Sequence, residues 1–145
     1  MKYKNQIENI ARAIIVKNDQ LLLCKMKKAD WYFLPGGHIE FSESAKNTLL
    51  RELNEEIGIS SAKVNCLAGI AENQYFNGKF TQHEINFFFD TDINNEESIK
   101  SQENHLEFDL VPISNLESID LKPENAKQSI INYLNNKQNF WIPLP

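Results

Sequence analysis

The chain contains few residues of the kinds that would commit it to a specialised class of protein. Its 145 residues include two cysteines, Cys24 and Cys66, which lie in separate apolar runs and form no C-x-x-C pair. This spacing argues against a disulfide framework and against zinc or redox chemistry that uses paired thiols. We expect both cysteines to be buried thiols within strands.

Long hydrophobic runs and an excess of positive charge are also missing. No apolar run is long enough to cross a bilayer, and residues 1–15 lack the unbroken apolar core of a signal peptide. The formal net charge is -5, which argues against the basic face of a general nucleic-acid-binding protein. We therefore expect a cytoplasmic protein with no membrane partner and no nucleic-acid polymer as a partner.

The remaining composition is that of an ordinary globular domain. Hydrophobic residues make up 41% of the chain and charged residues 24%, which are usual fractions for such a domain. A chain of this length can bury a core of its own, and no repeat or low-complexity linker divides it. We predict a single domain over residues 1–145, of mixed α/β class.

The first part of the chain predicts a hairpin followed by a short strand. Apolar runs at residues 10–16 and 20–26 flank the polar turn Lys17-Asn18-Asp19, and two such runs around a turn are typical of a β-hairpin. Residues 31–34 indicate a further short strand. We expect Pro35-Gly36-Gly37 to end that strand.

A second hairpin is predicted in the middle of the chain. Asn77-Gly78 lies between the strand-like segments 64–74 and 81–90, and this dipeptide is a strong signal for a tight hairpin turn. The second segment contains three consecutive phenylalanines, so we expect it to lie deep in a sheet.

The last third of the chain predicts a loop, a strand and a helix. Residues 92–103 are polar and indicate a loop, residues 106–113 indicate a strand, and residues 123–137 indicate a helix with a proline near its first turn. The apolar tail, residues 140–145, is expected to dock on this domain or on a second subunit. A monomer and a homodimer therefore both stay open.

Residues 44–57 predict the principal helix. Ser42 or Ser44 is a candidate N-cap, and Gly58 is placed where a helix often ends in a left-handed residue. Apolar residues recur along the helix at i, i+4 spacing, so one side of it should face a core.

Three acids in the last two turns set this helix apart from an ordinary surface helix. A helical wheel places Glu52, Glu55 and Glu56 along the border of the apolar stripe. Such acids repel one another and oppose the helix dipole. A divalent cation held by carboxylate oxygens would relieve this repulsion, and so would Arg51 by bonding Glu55 or Glu43.

The spacing of these residues resembles the Nudix box, G-x5-E-x7-R-E-U-x-E-E-x-G-U, in which U is a bulky aliphatic residue. All nine defined positions agree, and the lead-in Leu34-Pro35-Gly36-Gly37 also resembles the family. The matching residues are Gly37, Glu43, Arg51, Glu52, Leu53, Glu55, Glu56, Gly58 and Ile59.

The resemblance implies a fold and a reaction. The fold would be an α/β/α sandwich around a mixed β-sheet. The reaction would be hydrolysis of a diphosphate linkage in a nucleoside triphosphate, a nucleotide sugar, ADP-ribose or a dinucleoside polyphosphate, with Mg²⁺ as the cofactor and Mn²⁺ as a substitute. Two alternatives stay open: a non-catalytic nucleotide-binding or regulatory Nudix domain, and an enzyme that acts on the 5′ end of RNA.

The resemblance also implies roles for residues of the box. Glu52, Glu55 and Arg51 form the expected catalytic set, with Glu52 the first candidate for activating water. Glu43 would hold Arg51 in place. The expected metal ligands are the carboxylates of Glu52, Glu55 and Glu56, the backbone carbonyl of Gly36 and one acid from outside the box, Glu103.

Residues outside the box should decide which substrate is bound. Glu107 and Glu84 are alternatives to Glu103 as the additional acid. Aromatic side chains can stack on a base, and a glycine turn and a neighbouring histidine can approach phosphate. The expected substrate-binding residues are Tyr32, Phe33, Gly37, His38 and Tyr75.

Overall fold

The computed structural model describes residues 6–145, which form two β-sheets, two α-helices and two short 3-10 helices. The larger sheet mixes parallel pairs with antiparallel pairs. Its strands, in spatial order, are β10 (Phe140–Ile142), β6 (Lys63–Phe76), β7 (Thr81–Asp92), β1 (Ile7–Ile14) and β5 (Gly36–His38).

The smaller sheet is built around a strand that is buried at four successive residues. This strand, β3, pairs with three neighbours, and a fourth strand extends the sheet. The strands of this sheet are β2 (Val16–Lys17), β3 (Gln20–Met26), β4 (Tyr32–Phe33), β9 (Leu121–Lys122) and β8 (Leu106–Pro112), the last of which also pairs with β3.

The two helices are α1 (Ala45–Ile57) and α2 (Lys127–Asn136), the second preceded by a 3-10 turn. Ser44 caps α1 by accepting a hydrogen bond from the N–H of Asn47, at 3.0 Å. Gly58 follows the last residue of α1 with φ 73°. The predicted helix at 44–57 is therefore confirmed, and neither helix within residues 6–145 is long and apolar enough to span a bilayer.

The helices cover opposite faces of the larger sheet. Leu53 of α1 packs in one core cluster with Ala13 of β1, whereas Ile130 of α2 packs in the other with Ile14. Because successive side chains of a strand point to opposite faces, the sheet lies between the helices. The predicted α/β/α sandwich around a mixed sheet is confirmed.

The first predicted hairpin is largely wrong. A two-residue turn at Asn18 and Asp19, both with positive φ, does join β2 to β3. However, β1 leaves for the larger sheet, where it pairs in parallel with β7 and antiparallel with β5. The residues of β1 near its end are buried on both faces, which suits a central strand with neighbours on both sides.

One further local prediction is incomplete and another is wrong. The strand β4 ends before Pro35 as expected, but Gly36–His38 then forms the edge strand beside β1. Cys24 is buried as expected, but Cys66 is exposed. The register of β6 shifts on both sides of Cys66, and such irregularities break the regular alternation of side chains between the two faces.

The C-terminal tail docks on its own domain. β10 extends the larger sheet in parallel with β6, and the ring of Phe140 lies 5.6 Å from that of Phe88, measured between centroids. A Cβ on Gly69 would collide with the Phe140 ring. Trp141, the next residue, is 66% exposed.

We predict that Phe140→Ala destabilises the protein by about 2–3 kcal/mol, because it empties the space over Gly69. Trp141→Ala is the matched control, since it removes a neighbouring aromatic ring from the exposed side, and should cost less than about 1 kcal/mol. Urea unfolding measures both. Equal losses for the two variants would show that the tail is not anchored by Phe140.

Candidate active site

The glycine pair brings the backbone of β5 against the acidic end of α1. Gly37 faces Ala11 in the β1–β5 register, and a Cβ added to Gly37 would collide with the carboxyl group of Glu52. Glycine therefore lets this carboxylate lie directly on the backbone, which a side chain would prevent.

Gly36 pairs with Arg12 at the edge of the larger sheet, with φ +147°. The N–H of Ala13 donates to the carbonyl of Pro35, and the N–H of Ile39 donates to that of Asn9, each at 2.8 Å. Hydrogen-bonded and non-hydrogen-bonded pairs alternate in antiparallel strands. Gly36 belongs to a non-hydrogen-bonded pair, so its carbonyl oxygen is not used by β1.

The guanidinium of Arg51 organises the carboxylates of the box. It binds Glu43 through two nitrogens, Nε to Oε2 at 2.8 Å and Nη2 to Oε1 at 2.9 Å. Its Nη1 donates to Glu52 Oε1 at 3.0 Å and to Glu55 Oε2 at 3.3 Å. Two-pronged contacts between arginine and carboxylate are strong and directional, so Arg51 is held by Glu43 and in turn orients the other two acids.

The pKa values of Glu43 and Arg51 reflect the contact between them. Hydrogen bonds from Arg51 first, and from Thr48 second, lower the pKa of Glu43 to about 2. The same contact with Glu43 raises the pKa of Arg51. Both groups therefore stay charged at any pH at which the protein would normally be studied.

Glu55 differs from the expectation that all three acids border the core. Its side chain is 54% exposed, compared with 17% for that of Glu52. The Glu55 carboxylate contacts Arg51 at an exposed position. His38 lies at the same end of the site, where its carbonyl accepts from Arg51 at 3.4 Å and its ring Nε2 lies 3.0 Å from Glu8 Oε2.

Glu56 carries the least satisfied carboxylate of the site. Its Oε2 is buried and has no hydrogen-bond partner within residues 6–145. Burial first, and then the neighbouring Glu52, raise the pKa of Glu56 to about 8. A buried carboxylate beside a second one is unfavourable unless a proton or a cation is shared between them.

The donor atoms fit a hard divalent cation. They are oxygens, as Mg²⁺ and Mn²⁺ prefer: the buried Oε2 of Glu56, the carboxylate of Glu52 beside it and the carbonyl of Gly36 at the open edge. Residues 6–145 nevertheless contain no group of three acidic, histidine or cysteine side chains already arranged around one metal position. Glu55 is engaged with Arg51 instead.

Of the three candidate acids outside the box, Glu103 is the one that follows a residue bonded to the end of α1. The N–H of Gln102 donates to the carbonyl of Glu56 at 2.7 Å, which ties the loop to the end of α1. The charge of Glu103 contributes to the raised pKa of Glu56. Glu107 instead pairs with Lys25 at 3.8 Å, and Glu84 lies elsewhere, in the wall of a cavity.

This cavity, of about 650 Å³, is the natural place for the rest of a substrate. Trp31, Phe33 and Tyr75 supply its aromatic surface. Two of these were expected to bind substrate, but Tyr32 is absent from the lining that the described residues form. Its hydroxyl instead donates to Asp109 Oδ2 at 2.8 Å.

Apart from Glu84, the polar groups of the cavity were not predicted from the sequence, and Arg12 is the most important of them. Its Nη1 donates to the carbonyl of Leu34 at 3.1 Å, and its guanidinium carbon lies 5.3 Å from the centroid of Phe33. Burial lowers the pKa of Arg12. The negative charges of Glu84 and, to a smaller extent, Glu56 act in the opposite direction and raise it. Arg12 therefore lies within electrostatic reach of both the cavity and the acids. A charged residue inside the apolar run of β1 was the available signal.

The match to a family model agrees with this geometry. The model of the NUDIX domain matches residues 8–132, which is most of the chain and includes both the box and the strands that line the cavity. The chain belongs to the Nudix family, as the nine-position signature predicted.

Individual relatives are similar over shorter stretches. An RNA pyrophosphohydrolase of Ruthia magnifica is 49% identical over 57 residues, which cover 38% of this chain and 32% of that protein. A probable DHNTP pyrophosphohydrolase of Lactococcus lactis is 29% identical over 102 residues, which cover 67% of this chain and 61% of that protein. The chain thus spans between about a third and three fifths of these relatives.

A solved structure shares the fold. The MutT protein from Bacillus halodurans superimposes with a TM-score of 0.71 at 22% sequence identity, covering 92% of this chain and 86% of that one. At this identity the likeness extends to the fold alone.

We predict that chelated, metal-free protein loses stability as the pH rises from about 4.5 to about 8. The folded-state pKa of Glu56 lies above its ordinary value of 4.5, so its contribution is fully present below that value and is lost as the pH rises through about 8. Glu56→Gln should remove about 1–3 kcal/mol of this loss in denaturant unfolding. Glu117→Gln, an exposed control, should leave it unchanged, and identical pH profiles for wild type and Glu56→Gln would contradict the assignment.

Proposed function

We propose that this protein hydrolyses a diphosphate linkage in a nucleotide and that Mg²⁺, or Mn²⁺ in its place, is the cofactor. One observation carries the proposal: Oε2 of Glu56 is buried and, among residues 6–145, has no hydrogen-bond partner, and it lies beside Glu52 at the glycine turn of the box. Two carboxylates forced together in this way serve stability poorly, whereas they suit a site that receives a cation.

Arg51 and Glu52 would act together on the attacking water. Glu52 has a mostly buried side chain that Arg51 and Gly37 hold in one place, so its free carboxylate oxygen can accept a proton from water at a defined position. A bound divalent cation would supply charge neutralisation at the diphosphate and acidify water. Glu56 and the Gly36 carbonyl would help to hold that cation.

Glu103 would complete the acidic set from outside the box. Its loop is fixed to the carbonyl of Glu56 through Gln102, which gives this acid a defined place beside the box. Glu55 would contribute from the solvent side, where it can leave Arg51 without disturbing the core.

The substrate is expected to be a small nucleotide, and two relatives suggest where to look first. They are named as pyrophosphohydrolases of RNA and of DHNTP. The RNA reading is the second candidate because of the 49% identity to the Ruthia magnifica protein. The net charge of -5 counts against it, since binding to a polymer relies on basic contacts to phosphates.

We predict that Mg²⁺ or Mn²⁺ supports turnover of at least one compound in a panel of nucleoside triphosphates, nucleotide sugars, ADP-ribose, dinucleoside polyphosphates and triphosphorylated RNA. Glu52→Gln should lower kcat by about 10²–10⁴ through loss of the base, with little change in melting temperature. Glu40→Gln, an exposed acid in the neighbouring loop, is the control. A folded wild type that turns over nothing in the panel with metal present would sink the proposal.

The additional acid can be tested in the same assay. We predict that Glu103→Gln lowers kcat/KM about 10- to 100-fold, as is usual when a supporting group of a metal site is lost. Glu107→Gln should stay within about twofold, because that acid pairs with Lys25 instead. The reverse pattern would transfer the role to Glu107.

A further inference from the structure

Glu84 is a buried charge that the proposed reaction does not use. It lies on β7 in the wall of the cavity, and only 8% of its surface is exposed. Burying an ionised carboxylate is costly unless its oxygens receive hydrogen bonds. The hydrogen-bond partners of Glu84 therefore indicate which groups a ligand in the cavity can bond.

The hydrogen bonds to Glu84 satisfy one oxygen. Oε1 accepts from the amide nitrogen of Asn73 at 3.2 Å and from that of Asn86 at 3.3 Å. Within residues 6–145, Oε2 receives no hydrogen bond. One carboxylate oxygen with two lone pairs is thus left to the cavity.

Arg12 places hydrogen-bond donors beside this acceptor. Its Nε donates to Asn86 Oδ1 at 3.5 Å, on the other end of the amide that binds Glu84. Asn86 is fully buried and keeps the two charges apart, since no ion pair within 4.0 Å joins Arg12 to an acid in the described part of the chain. The guanidinium therefore keeps unused donors next to the unused acceptor.

This polar set specifies the hydrogen-bonding edge of a ligand. Because Arg12 donates and Glu84 accepts, the ligand must offer a carbonyl beside one or more N–H groups. Guanine offers a carbonyl, a ring N–H and an amino group in a row. Adenine has no carbonyl, and its ring nitrogen would face the carboxylate as a second acceptor. Uracil and hypoxanthine offer a carbonyl and a ring N–H but no amino group, so each leaves one lone pair of Glu84 Oε2 unused.

The aromatic residues supply what a flat ring needs. Trp31 is 38% exposed and Tyr75 is 47% exposed in the cavity wall. Free aromatic faces stack on bases of every kind, so they give affinity without selectivity. Selectivity is left to Arg12 and Glu84 in the cavity lining.

We infer that Arg12 and Glu84 select substrates that carry the 2-amino-4-oxopyrimidine edge shared by guanine and pterins, with Arg12 on the carbonyl and Glu84 on the ring N–H and amino group. The inference rests on the proposed hydrolase function and names the substrate class of that same site. Both residues are specificity-determining rather than catalytic, because they bind a part of the substrate that does not react.

The decisive comparison is GTP against ITP, which differs only by lacking the amino group. With wild-type protein and Mg²⁺, kcat/KM for GTP should exceed that for ITP about 10- to 100-fold, the usual loss when a hydrogen bond to a charged group is removed. Glu84→Gln should reduce this ratio toward one. Glu117→Gln removes the same charge from an exposed position and should leave the ratio unchanged.

Arg12 is tested with a second substrate pair. The ribonucleoside triphosphate of 2-aminopurine lacks both the carbonyl and the ring N–H, so wild type should prefer GTP over it. Arg12→Gln should reduce that preference while keeping the preference for GTP over ITP, which depends on the amino group alone. Dihydroneopterin triphosphate is tested beside GTP. The comparison shows whether the preferred substrate carries a pterin or a guanine. Either compound outpacing ITP and ATP at least tenfold supports the inference.

Several results would overturn it. The first is that the protein turns over nucleotides but prefers neither GTP over ITP nor the pterin over ATP. The hydrolase proposal would then stand, and the proposed base selectivity would be wrong. A GTP-to-ITP ratio that survives Glu84→Gln would do the same. If wild type turns over nothing, the hydrolase proposal fails, and calorimetric binding of GTP, ITP and ATP decides the base preference separately. Should Glu84→Gln not fold, the wild-type ratios decide alone.

Discussion

The guanidinium of Arg51 is the contact on which the rest of the acidic site depends. It bonds Glu43, Glu52 and Glu55 at distances of 2.8–3.3 Å, so a single positive group sets the positions of the two mostly buried acids and also contacts the exposed one. Without it, the acids at the end of α1 would face one another with only solvent to separate them. Arg51 makes no hydrogen bond to Glu56 among the described residues. The negative charge of the buried Glu56 oxygen is therefore not neutralised by this arginine.

A second constraint is that β1 contributes side chains to both faces of the larger sheet. Ala11 and Ala13 are small and fully buried toward α1, which lets the helix approach the sheet closely. Arg12, between them, points to the opposite face and lines the cavity. The alternation of a strand thus separates the reactive acids from the residues that recognise the ligand. Both sides still meet the glycine turn, because Arg12 pairs with Gly36 and Glu52 packs against Gly37.

Local chemistry made the acidic site predictable. Helical spacing, the cap at Ser44 and the glycine after Ile57 are settled by neighbours in the chain, and the spacing of the box carries the family. The pairing of β1 with β7 was not predictable, because it joins residues more than seventy positions apart. The same holds for Glu84 and Asn86, whose polar side chains look misplaced in an apolar strand until Arg12 is brought beside them. Tyr32 failed as a cavity residue for a related reason, since its partner Asp109 lies on a distant strand.

The exposure of Glu55 gives the site one adjustable member among fixed ones. Glu43 and Glu52 are confined by packing, whereas more than half of the Glu55 side chain meets water. Exposed side chains change rotamer in picoseconds to nanoseconds, and enzymes commonly turn over about ten times per second. Glu55 can therefore sample many positions within one catalytic cycle, so the same site can accommodate the changing charge of a substrate that becomes two products.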